Sequence, residues 1–172
     1  MIDVTPSVHY LSHGYVCGYG TAGRRLLLAL DAHGVDVTWT PVQFDEACPV
    51  FPQEWPVDPA LAPLRGRATR PDVMVIHSIP ELIPALEPLR PPGGAIVAHT
   101  VWEHEQLQPH WPDLLNRCDG VIVPTEWNAE AFRAAGVTAP IGVVPHVAAV
   151  EAPDQMWLGP DGLDLGERFV VH

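Results

Sequence analysis

The sequence predicts an α/β fold: an open, mostly parallel Rossmann-like sheet with helices on both faces, in three αβα layers. Three observations predict it. Short strands that are apolar throughout, VMVI, AIVA and VIVP, recur along the chain. Segments of helical periodicity alternate with them. Strands without polar alternation are what a sheet covered on both faces requires.

Taken in order, VTPSVHYL reads as the first strand and GRRLLLALDAHG as a helix closed by Gly34. Leu26, Leu27, Ala29 and Leu30 share its apolar face, while Arg24, Arg25 and Asp31 stay in water. VDVTWTPV follows as a second strand bounded by Pro41. Residues 42–70, rich in Pro and carrying Trp55, break the rhythm and are expected to be irregular. PDVMVIHSI resumes as a strand, and PELIPALEPLR is a helix or turn made irregular by Pro84 and Pro88. GGAIVAHT is a strand, WPDLLNRCDG a helix with Pro112 in its first turn, and DGVIVPT a strand. WNAEAFRAAGV is a helix that Gly136 caps, and PIGVVPHV is the last short strand.

Composition removes several functions. The chain has 172 residues, a hydrophobic content of 47% and a formal charge of -12, with nine Arg and no Lys. One domain is the natural count for that length. The acidic balance argues against a nucleic-acid partner, which needs convergent cations on its phosphates. No apolar run is long enough to span a bilayer, and no signal peptide is recognisable, so a cytoplasmic location is expected. Cys17, Cys48 and Cys118 are widely spaced without C-x-x-C, and His104 lacks an H-E-x-x-H partner, so no metal site is expected.

Ligands of open parallel sheets bind outside the carboxyl ends of the strands, where strand order reverses. The residues just past each strand are therefore the candidates: the loop from His13 to Gly23, Gln43, His77 and Ser78, His99 to Glu105, Thr125 and Glu126, and Pro145 and His146. GYGTAG, residues 18–23, matches G-x-G-x-x-G. A dinucleotide fingerprint would also place an acidic residue at the tip of the second strand. Here the strand is expected to end in TWTP, with Asp36 at its start and Asp45 past its end, and HGYVC lengthens the approach to the glycines. Close approach of backbone N–H groups to an anion or sugar survives as the more general reading. In HTVWEHEQLQPHW, Trp102 and Trp111 offer flat apolar faces beside Glu103 and several amides, a combination suited to a polyhydroxylated ligand. Packing of both indoles against the domain is the alternative. His99 and His146, each just past a strand, could act as a general base or bond a substrate hydroxyl.

The order of GYGTAGRRLLLAL, HTVWEHEQLQPHW, CDGVIVPTEWNAEAFRAAGV and IGVVPHV, spanning residues 14–147, resembles the amino-terminal domain of GT-B-fold glycosyltransferases of the group 1, family-4-like kind. The resemblance implies one half of a GT-B fold, with residues 1–150 as the acceptor-side domain and 151–172 as a linker and the start of a second, incomplete domain. It implies an enzyme that moves a sugar from a nucleotide-sugar co-substrate to a sugar or polyol acceptor. No further cofactor is required, and the isolated chain is expected to be inactive without its carboxyl-terminal partner domain. On this resemblance His99 is the catalytic candidate, and Gly18, Gly20 and Thr21 bind the nucleotide sugar. Substrate-binding candidates are Glu103, Thr125 and Glu126 on the resemblance, and His77, Trp102 and His146 on their positions after the strands. Val147 stands where the family usually carries a glycine, in PHV instead of PHG. A noncatalytic carbohydrate-binding domain and an NAD(P)-dependent oxidoreductase or epimerase are the other functional readings.

Overall fold

The computed structural model describes residues 6–45, 48–50, 58–67 and 70–148. The expected linker and second-domain start at 151–172, and Trp55, lie outside the described residues.

Seven strands form one sheet: β1 (Val8–His13), β2 (Val37–Asp45), β3 (Cys48–Val50), β4 (Val73–His77), β5 (Ala95–His99), β6 (Gly120–Val123) and β7 (Ile141–Val143). Their spatial order is β3-β2-β1-β4-β5-β6-β7. Every pairing is parallel except that of β2 with β3. This is the open, mostly parallel Rossmann-like sheet read from the strand pattern. Among the described residues no helix is long and apolar enough to cross a membrane.

The helices are α1 (Gly18–Ala32), α2 (Ile83–Leu86), α3 (Trp111–Leu115) and α4 (Glu126–Ala134). The chain moves one way across the sheet from β1 to β2 and the other way from β4 through β7. Right-handed crossovers then place α1 on one face and α2, α3 and α4 on the other. The core divides accordingly. Tyr10, Leu27, Trp39, Leu61, Leu64 and Val75 pack on the α1 face. Leu11, Met74, Ile76, Leu86, Ile96, Leu115, Val121 and Phe132 pack on the opposite one. Each such leucine contributes about 2 kcal/mol by leaving water.

α1 sits close to β1 because its buried stripe is Gly20, Gly23 and Leu27. A Cβ on Gly23 would lie 3.0 Å from the Ser12 side chain, tighter than ordinary contact, so the glycine lets the helix sit this near without displacing Ser12. The helix ends as expected, with Gly34 at φ +75° beyond the cap. Gly136, at φ +102°, ends α4 in the same way.

The second strand corrects the expectation of an end at Pro41. β2 continues through Pro41 to Asp45 and folds back into β3. Pro41 pairs with Ser12 on the β1 side, while β3 reaches only Gln43 to Asp45. Among the described residues no strand pairs with Pro41 on the β3 side, and there its missing N–H costs no ladder bond. The stretch expected to be irregular also holds a 3-10 turn, Ala62–Leu64, that seals the α1-face core with buried Leu61 and Leu64. The Pro-rich segment after β4 is irregular as read: two 3-10 turns flank the single-turn α2.

Candidate functional site

Strand order reverses between β1 and β4, and their carboxyl ends carry His13, His77 and Ser78. The parallel register pairs Ser12 with His77 and His77 with His99. Paired residues share a face, so Ser12, His77 and His99 form one polar row on the α1 side of the sheet, one strand spacing apart. The imidazoles of His77 and His99 stack, with centroids 3.9 Å apart and planes 6° from parallel. Tyr10, one row below, reaches up between them: its Oη lies 2.7 Å from His77 Nδ1 and 3.4 Å from His99 Nδ1.

Burial sets the charge of this row. His77 is 1% and His99 2% exposed. Desolvation, with the neighbouring histidines adding, lowers the His77 pKa to about 2, and desolvation with His146 nearby lowers that of His99 to about 4. Both rings are neutral at neutral pH. Burial raises the pKa of Tyr10, which keeps its phenolic proton.

Above the row opens a cavity of about 530 Å³. Its wall comprises Gly18, Tyr19, Thr21, Ala22 and Arg25 of α1, His77 of β4, Val101 and Glu103 after β5, and His146 and Val147 after β7. Tyr19 holds the α1 end of the cavity in place. Its hydroxyl meets Thr100 Oγ1 at 2.9 Å and donates toward the Val101 carbonyl at 3.3 Å, and its ring stands edge-on to His77. At the start of α1 the Cys17 Sγ accepts from the Gly20 N–H, and Thr21 N–H bonds the Cys17 carbonyl. The N–H groups of Gly18 and Tyr19, in the first turn, have no intrahelical acceptor. A wall with one guanidinium, one carboxylate, neutral imidazole and free backbone N–H suits a polar ligand bearing oxygen atoms.

The structure brings five of the ten nominated residues into this cavity: Gly18, Thr21, His77, Glu103 and His146. His99 lies beneath its wall, stacked on His77 and 6.2 Å from the His146 ring. Its Nε2 is buried without a hydrogen-bond partner. The other four serve elsewhere. Gly20 faces its own loop: a Cβ there would fall 2.0 Å from the Tyr15 carbonyl oxygen, whereas at Gly18 nothing lies within 4 Å. Trp102 packs on Trp111, centroids 4.7 Å apart, and donates its indole N–H to the Gln106 carbonyl at 2.7 Å. Thr125 caps α4 by accepting from Asn128 N–H at 3.1 Å, and Glu126 is exposed in the first turn of that helix.

No protein-family model matches this chain, and no curated protein matches it.

Sequence reasoning missed Tyr10, Tyr19 and Arg25. Tyr10 reads as a core strand residue and Arg25 as a solvated helix position. Tyr19 carried a signal: it sits inside GYG, immediately before a helix that must face the strand ends. Among the described residues, no three His, Cys, Asp or Glu side chains are grouped to hold a metal ion.

The tip of β2 also differs from expectation. Asp45, expected past the strand's end, is its last residue. It lies three positions beyond Val42, the register partner of His13 at the end of β1.

Proposed function

We propose that this chain is the acceptor-side domain of a GT-B-fold glycosyltransferase and works in the cytoplasm, forming one wall of the cleft in which a sugar moves from a nucleotide sugar to an acceptor hydroxyl. One observation carries the reading. Five residues nominated from the sequence, by position after a strand or by the resemblance, are Gly18, Thr21, His77, Glu103 and His146; they come from four separate stretches of chain and line a single cavity at the switch edge of the sheet. Free Cys17 and Cys118 fit a reducing compartment.

In the transfer, the acceptor oxygen bonds to the anomeric carbon as the bond from that carbon to the nucleotide's phosphate breaks. The hydroxyl proton must leave, and negative charge develops on the departing nucleotide. Glu103 and His146 are the exposed groups of the cavity able to take a proton. Arg25 and the N–H groups at the start of α1 meet negative charge. His99, shut off beneath the wall, supports His77 and is not itself in reach of substrate.

Titration with a panel of sugars and polyols, followed by tryptophan fluorescence and amide shifts, tests this reading. Shifts confined to Gly18, His77, Glu103 and their neighbours are expected. A panel that moves none of them overturns it.

A second reading, a dinucleotide-dependent oxidoreductase, is favoured by Asp45 at the end of β2 and by Gly23 in the helix-packing role of the fingerprint's third glycine. Against it, the side of Gly20 on which a Cβ would sit is closed by the Tyr15 carbonyl of its own loop. Saturable enhancement of NAD(P)H fluorescence would select this reading over the first.

A further inference from the structure

Two buried imidazoles share one phenol. Tyr10 Oη has a single proton, yet it touches Nδ1 of both His77 and His99. It can donate to one ring, and the other ring must donate to it. The contact with His77, at 2.7 Å, is a full-strength hydrogen bond, whereas the 3.4 Å contact with His99 is long and weak. The surroundings of His99 Nε2 separate the two roles. The opposite assignment would make His99 protonated at Nε2 and leave that N–H buried without an acceptor. A bare ring nitrogen is less costly there than an orphaned donor.

We propose that Tyr10 is a positioning residue that fixes His77 and His99 in opposite tautomers, so that His77 presents an Nε2–H donor at the cavity wall while His99 keeps a bare Nε2 in the interior. Among the described residues the hydrogen bond of His77 is the one at Nδ1 and none is made at Nε2, although the residue is 1% exposed and lines the cavity. The ligand atom that meets His77 is therefore an acceptor oxygen: a hydroxyl, carbonyl or phosphoryl oxygen. His77 cannot serve as a proton acceptor toward the cavity, because its basic nitrogen is occupied by Tyr10. The lowered pKa values of both rings support the proposal, since fixed tautomers exist only in neutral imidazole. The tautomer pair belongs to the free protein and does not depend on which ligand the cavity takes.

Long-range proton–nitrogen correlation spectra of the 15N-labelled whole chain at pH 7.5 read the tautomers directly. His77 is expected protonated at Nε2 and His99 at Nδ1. In Tyr10→Phe, which keeps the ring and loses the hydroxyl, the nitrogen shifts of both histidines are expected to move toward the averaged values of exchanging tautomers. A packing role alone would leave them in place. Finding both rings in one tautomer, or in the reverse pair, in the unaltered protein overturns the proposal, and so do unchanged nitrogen shifts in the variant. Should Tyr10→Phe fail to fold, the spectrum of the unaltered protein decides the matter.

Discussion

His77 and His99 stack face to face 3.9 Å apart on neighbouring strands, an arrangement that two imidazolium ions would not tolerate. Both pKa values are depressed from 6.5, to about 2 and about 4. Below pH 6.5 the unfolded chain takes up protons that the folded one refuses, so stability is full above 6.5 and lost as pH falls. The expected slope is about 1.4 kcal/mol per pH unit for each ring, with His99 contributing down to about pH 4 and His77 further. Thermal unfolding measured from pH 8 to 4 should show Tm declining already below 6.5, where carboxylates do not titrate. His99→Phe should flatten that decline.

Gly18 and Gly20 lie in one motif and should answer differently to alanine. A methyl on Gly20 collides with the Tyr15 carbonyl, so Gly20→Ala is expected to cost about 1–3 kcal/mol. Gly18→Ala meets nothing and improves helix propensity, so stability should hold or rise slightly while cavity binding weakens. Urea denaturation combined with ligand titration separates the two effects.

Thr125 and Asn128 form a reciprocal clamp. The Thr125 hydroxyl accepts the Asn128 N–H and donates to its Oδ1, while Asn128 Nδ2 donates to the Trp102 carbonyl at 2.6 Å. Thr125→Ala should lower stability by about 1 kcal/mol without changing the response to sugars or polyols. A loss of ligand response at unchanged stability would return Thr125 to the binding surface.

Burial pushes the Cys118 thiol up to about 11, with Asp119 adding to the effect. Little thiolate exists at pH 8, and the side chain is enclosed. Alkylation of the native protein followed by mass spectrometry should leave Cys118 unmodified until denaturant is added.

The parallel sheet was legible because VMVI, AIVA and VIVP are apolar on both sides, and the helix ends because Gly34 and Gly136 mark them. The continuation of β2 through Pro41 was not, because a proline's tolerance depends on which neighbour lies beside it. That neighbour is fixed by long-range pairing. At the site, position after a strand pointed to His77, Glu103 and His146, and all three line the cavity. It could not show that register would slide His99 under His77, or that Trp102 would turn toward Trp111. Such outcomes depend on which face each side chain takes, and two adjacent loop residues can differ in that.

The two outermost strands of the described sheet are each three residues long. Pro49 lies within one, and Pro140 and Pro145 bracket the other. Among the described residues, neither of these two strands by itself offers a run of N–H and carbonyl groups long enough for a foreign strand to continue the ladder. The uninterrupted valines and isoleucines of the sheet are thus kept to its central strands, away from these short rims.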